Sequence, residues 1–161
     1  MAVFVLVEIA ITKGQILHSG VTMGKEYTLS FKVKPTDFLT YKWGNALQFS
    51  TGVEGSRIPS IWFYQDENDN SKRLLAISVS SDFPENMYLI TDWVPLNEWL
   101  DVSIQQVHRD GRYVIEAVVN DKWIGSLFIL SPREYTNVKV YASNPWYESI
   151  QPGFIKDLSF K

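Results

Sequence analysis

Leu100-Asp-Val-Ser-Ile-Gln-Gln-Val-His-Arg, then Asp110-Gly111, then Arg112-Tyr-Val-Ile-Glu-Ala-Val-Val-Asn120 is the stretch that decides the fold class. Leu100, Val102 and Ile104 alternate with Asp101, Ser103 and Gln105, the period of two that a half-buried strand requires. The apolar pattern resumes at Tyr113 and Ile115. Between the two runs, Asp-Gly is a pair that accepts the positive φ of a tight hairpin turn. An antiparallel hairpin is therefore expected here.

The same grammar runs outward in both directions. Tyr27, Leu29, Phe31 and Val33 alternate with Thr28, Ser30, Lys32 and Lys34 until Pro35 stops the run. Leu47 and Phe49 lead to Gly52. Ile58 to Tyr64, Leu75 to Val79 and Tyr88 to Ile90 follow, then, past the hairpin, Val138 to Tyr141 and Phe154 to Phe160. Val118 to Trp123 holds a second turn at Asn120-Asp121, and Met1 to Val7 reads as a first strand. Only Pro132-Arg-Glu-Tyr135 suggests a helical turn, and no repeat of fixed period is visible. Ten to twelve short strands joined by polar or Gly/Pro links predict an all-β, antiparallel jelly-roll β-sandwich, with residues 1–161 as one domain.

Composition removes several classes of function. Among 161 residues there is no cysteine, so disulfide frameworks, thiol nucleophiles and thiolate zinc sites are excluded. Fifteen basic and eighteen acidic residues are mixed along the chain, without the basic run expected of a nucleic-acid partner. The longest apolar stretch, Met1 to Val7, is too short to span a bilayer. Aromatic residues reach 14%, with six tryptophans.

Catalytic constellations are sparse. The two histidines, His18 and His108, have no Gly-x-Ser-x-Gly elbow to support a triad. Glu116 and Asp101 are the candidate carboxyls for glycoside hydrolysis, but they lack the alternate-residue triplet that would set them on one strand. No enzymatic activity is expected. Asp66, Asp69 and Asn70, in the oxygen-rich segment Tyr64 to Lys72, are candidate Ca²⁺ ligands; a polar hairpin tip is the competing reading. Asn144, Trp146, Tyr147 and Glu148 form a loop where Pro145 stops the strand. An indole can stack on the C–H face of a pyranose while amide and carboxylate oxygens hold its hydroxyls. The alternative is a tryptophan plugging the end of the sandwich. Arg57, in Gly52 to Pro59, could donate to a ligand or pair with Glu54.

The run from Trp99 through Gln105, the hairpin and the strand ending at Asn120 resembles the latter half of concanavalin A-like jelly rolls, including galectins, laminin G-like domains and legume lectins. The galectin sugar motifs are missing: the tryptophan strand reads Trp43-Gly-Asn-Ala-Leu and His108-Arg-Asp-Gly is a turn. Arg57-Ile-Pro-Ser-Ile-Trp-Phe63 and Asn144-Pro-Trp-Tyr147 also resemble the galactose-specific, calcium-dependent lectins of marine invertebrates. This likeness implies a lectin that binds terminal galactosides with the help of calcium, forms a homodimer and acts as an extracellular, secreted protein. A cytosolic location stays open. A laminin G-like adhesion module and a glycoside hydrolase are the rival readings.

Overall fold

The computed structural model describes residues 2–5, 7–80 and 87–161, with side chains from residue 7 onward. Every regular element among them is a strand: β1 (Ala2–Val5), β2 (Ile9–Ala10), β3 (Ile16–Met23), β4 (Tyr27–Pro35), β5 (Trp43–Ser50), β6 (Ser60–Gln65), β7 (Arg73–Val79), β8 (Met87–Ile90), β9 (Leu100–Arg109), β10 (Arg112–Val119), β11 (Lys122–Ile129), β12 (Tyr135–Tyr141) and β13 (Gly153–Phe160). One antiparallel sheet has the order β1-β13-β4-β9-β10-β11, with β2 also on β13. The other runs β3-β12-β5-β6-β7-β8.

Strand parity explains the layering. Leu29, Phe31 and Val33 of β4 and Val102 and Ile104 of β9 face Leu47 and Phe49 of β5, Ile61 and Phe63 of β6 and Ile77 of β7 across one apolar core. All of these are essentially inaccessible to solvent. Such burial stabilises by roughly 25 cal/mol per Å² of apolar surface, the main driving force for closing two sheets on each other.

The expected hairpin is present. Asp110 (φ 52°) and Gly111 (φ 76°) make the turn, closing Arg109 against Arg112, and Asn120 (φ 50°) with Asp121 (φ 62°) makes the next one. Both pairs adopt the left-handed backbone that type I′ turns demand.

Several elements differ from expectation, among them β11, which runs on to Ile129 where the sequence suggests a strand only as far as Trp123. Pro132 to Glu134 is not helical, and Tyr135 already pairs with Met23 as β12 begins. Strand β3 was not predicted: only Val21 and Met23 on it are buried, so it carries little of the alternation that marks a strand.

Candidate functional site

The even-numbered residues of β6 point away from the core. Ile61 and Phe63 face inward, so Trp62 and Tyr64 lie on the outer face of the sheet, beside Trp43 of β5. Two loops rise over this face. The segment 51–59 brings Arg57 and enters β6 through a cis Ile58–Pro59 peptide. The segment 144–151 lies along β5 through Asn45 N–H to Ser149 O (3.1 Å) and Gln151 N–H to Asn45 O (3.0 Å). Gly44 permits that approach, since a Cβ there would sit 2.9 Å from Gln151 N and 3.0 Å from Ile150 C.

Buried amides lock both loops to the sheet. Asn45 Nδ2 donates to Ser60 Oγ and Ile61 O (both 3.1 Å), and its Oδ1 accepts from Asn144 N–H at 2.8 Å. Gln48 Oε1 accepts from Ser60 Oγ (3.0 Å) and Asn144 Nδ2 (3.1 Å), while its Nε2 donates to Ser56 O at 2.8 Å. Asn45, Gln48, Ser60 and Asn144 are fully buried, and a satisfied network of this kind holds a single geometry.

Between the loops lies a cleft of about 510 Å³, lined by Tyr41, Lys42, Trp43, Arg57, Trp62, Tyr88, Tyr147 and Ser149. Its aromatic rings are mutually braced: Trp43 against Tyr64 (4.9 Å) and Tyr88 (6.1 Å), Trp62 against Tyr147 (5.8 Å). The Arg57 guanidinium lies 5.0 Å over the Trp62 ring. Its Nη1 donates to Ser78 Oγ (3.1 Å) and contacts the Tyr88 hydroxyl at 3.4 Å. At the rim, Lys42 pairs with Glu67, a hydrogen bond that raises the lysine's pKa above its ordinary value.

The structure thus brings together Arg57 and Tyr147 of the expected sugar contacts. Arg57 makes no ion pair with Glu54; it stacks on Trp62 instead. Asn144 is corrected to a structural role, since it is buried and its Oδ1 accepts from the N–H groups of Trp146 (3.1 Å) and Tyr147 (3.0 Å), an Asx turn that sets Tyr147 in the wall. Trp146 packs its edge on Tyr141 (5.8 Å) and does not line the cleft. Glu148 is exposed and tied to Lys13. Trp43, Trp62 and Tyr88 were not singled out from sequence, although the alternation around Ile61 and Phe63 already assigns Trp62 to the outer face.

The expected calcium ligands do not fit a cation cage. Asp66 Oδ1 accepts from the N–H groups of Asn68 (2.7 Å) and Asp69 (3.1 Å). Asp69 accepts from the Ser71 hydroxyl at 2.6 Å, the main cause of its lowered pKa, and lies 3.7 Å from Lys72 Nζ. The Asn70 carbonyl takes the buried Arg73 guanidinium at 2.8 Å. These oxygens close the hairpin on itself beside two cations. No group of three or more His, Asp or Glu able to hold a metal occurs among the described residues.

The hydrolase carboxyls are not assembled either. Glu116 lies opposite Gln105 on β9, four residues from Asp101, roughly 13 Å at the usual strand rise. That exceeds the ~5–9.5 Å of paired glycosidase carboxyls. Glu116 is engaged by Arg109 through two hydrogen bonds (2.9 and 3.1 Å), which hold its carboxyl below the usual range. It belongs to the sheet opposite the cleft.

A second depression of about 310 Å³ lies where β8 meets the β10–β11 turn, flanked by the exposed Trp93 and Trp123 and crossed by the Lys122–Asp92 ion pair (2.6 Å). No described helix is long and apolar enough to cross a membrane.

No family model and no curated protein sequence matches the chain. Solved structures do. A heptameric SAP-like pentraxin from Limulus polyphemus superposes with a TM-score of 0.63 at 13% identity, covering 95% of this chain and 74% of the pentraxin. The receptor-binding domain of botulinum neurotoxin type G gives 0.60 at 11%, over 95% of this chain and 38% of that domain. A family 7 alginate lyase in complex with substrate gives 0.59 at 12%, over 88% of this chain and 63% of the lyase. Because lyases are among the neighbours, the fold lends no support to the expectation that the chain lacks catalytic activity. Likeness at such identities bears on architecture alone: the chain has an antiparallel jelly-roll β-sandwich.

Proposed function

We propose that the protein is a carbohydrate-binding protein whose site is the cleft between the Arg57 and Tyr147 loops. The carrying observation is the wall of Trp43, Trp62, Tyr88 and Tyr147 around one guanidinium, held in place by a buried amide network. Flat aromatic faces suit the apolar side of a sugar ring, and a few fixed polar groups select its hydroxyls. Terminal galactosides, homodimer formation and secretion are part of this reading, supported by the lectin resemblance. Calcium is left out, because the residues offered for it serve the hairpin. The test is a glycan array followed by titration with variants. Tyr88→Ala and Tyr147→Ala should each weaken binding by ~5-fold or more, the value of about 1 kcal/mol for a stacked ring. Trp146→Ala should weaken it less. Unchanged binding in both Tyr147→Ala and Tyr88→Ala would overturn the site.

A second reading has its own observation. Trp93, Trp123 and Phe128 are 47%, 59% and 55% exposed near one edge of the sandwich, more apolar surface than scattered residues explain. A protein-recognition module would use that face and show no glycan binding. Enzymatic cleavage is the third reading, supported by the lyase neighbours and by the Tyr88 hydroxyl beside Arg57. Release of unsaturated or reducing ends from a bound oligosaccharide would establish it.

A further inference from the structure

We infer that the sugar taken by this cleft carries an anionic group, a carboxylate or a sulfate ester, bound by the Arg57 guanidinium; this deepens, and rests on, the carbohydrate-binding reading. No Asp or Glu lines the cleft among the described residues. Of its two cations, Lys42 is already matched by Glu67. Among the described residues nothing charged matches Arg57: its Nη1 meets only the hydroxyls of Ser78 and Tyr88, and its plane rests on Trp62. Arg57 Nη2 makes no bond to a described residue, and Arg57 lines the open cleft.

The wall's acceptors are neutral hydroxyls, those of Tyr41, Tyr88 and Tyr147, with no carboxylate among the described residues that line it. Arg57 Nε and Trp62 Nε1 are buried without a hydrogen-bond partner, and Trp62 is 6% exposed. The Ser149 hydroxyl is committed to the Trp43 carbonyl. A neutral sugar hydroxyl would accept one bond here and leave the positive charge unanswered. A carboxylate or sulfate brings both charge and several acceptor oxygens, and charge-assisted bonds to a guanidinium are about twice as strong as neutral ones. The aromatic wall and the size of the cleft require the sugar ring as well as its charge. The chain's formal charge of −3 makes general attraction to polyanions unfavourable, so any preference must arise locally.

The test is calorimetric titration with three sets of oligosaccharides of equal length: neutral galactans, sulfated galactans and galacturonans. At least one anionic set should bind 10-fold or more tightly than the neutral one, and which of the two does so identifies the anion. Arg57→Gln should abolish the preference and Arg57→Lys should retain part of it, with near-ultraviolet circular dichroism checking that each variant folds. Equal binding of neutral and anionic sets by the parent protein overturns the inference and leaves the carbohydrate site standing. So does a preference that survives Arg57→Gln. Binding of none of the three overturns both readings together.

Discussion

Glu116 shows at the scale of one residue how structure reassigns a side chain. In sequence it is a lone acid among apolar neighbours and a candidate for catalysis. In the fold it accepts from Arg109 and Gln105 on neighbouring positions of a hairpin, with its side chain only 14% exposed. Because its pKa is depressed in the folded state, the stabilisation it gives is present above the unfolded carboxylate value near ~4.3 and disappears as pH falls through the lower folded value. Glu116→Gln should therefore lower the melting temperature at pH 7 by a few degrees, about 1 kcal/mol, and by progressively less as the pH is taken down from about 4. A difference that persisted undiminished in acid would sink this account. The same variant should leave glycan binding intact, since Glu116 lies on the sheet opposite the cleft. Two neighbours in sequence, Trp146 and Tyr147, were indistinguishable from composition. Only the Asx turn of Asn144 decides that the tyrosine forms the wall while the tryptophan packs on Tyr141.

At the scale of elements, strands with regular alternation were legible and those without it were not. β4 and β9 announce their buried faces residue by residue, and both tight turns are carried by Asp-Gly and Asn-Asp. β3 was illegible because its outer half, Ile16 to Gly20, has no buried face to record. The loop lying on β5 was also illegible, because its placement depends on what Gly44 lacks rather than on what the loop contains. Gly44→Ala should press a methyl group into the backbone at Ile150 and Gln151 and into Leu39 Cδ2, at 2.4 Å. Overpacking of this kind costs ~1–3 kcal/mol, roughly 2–4 °C per kcal/mol in a chain of this length. Since the displaced segment carries Tyr147 and Ser149, glycan affinity should fall together with stability. Gly55→Ala is the control: it has φ +84° but open space around it, so it should cost backbone strain and leave the cleft wall unmoved. Equal melting temperatures for Gly44→Ala and the parent protein would show that the loop is not seated as described.

For the whole molecule, the question is what holds the cleft together. In a sandwich whose ends are closed by loops, either a bound cation or the protein's own donors must fix those loops. Here protein donors hold loops both at one end of the sandwich and over the cleft. The fully buried Arg73 donates to the carbonyls of Asp37 (2.8 Å) and Asn70 (2.8 Å) and to Gln151 Oε1 (3.3 Å), clamping three loops at one end of the sandwich. Burial lowers its pKa, but a guanidinium stays protonated, so the clamp carries a permanent positive charge close to the hairpin once considered for calcium. The amide network of Asn45, Gln48 and Asn144 does the same for the cleft without any charge. A chelator should therefore change neither the melting temperature nor glycan binding. Arg73→Met should instead lower stability by several kcal/mol, because three carbonyl oxygens each lose a charged donor at once, and only that of Asp37 keeps another, Gln151 Nε2 at 3.0 Å. Adding calcium should raise the melting temperature only if a site binds it in the folded state, and the gain then grows with the logarithm of the free ion. Loss of binding in chelator, restored by calcium, would mean that the loops need a cation that this clamp does not replace.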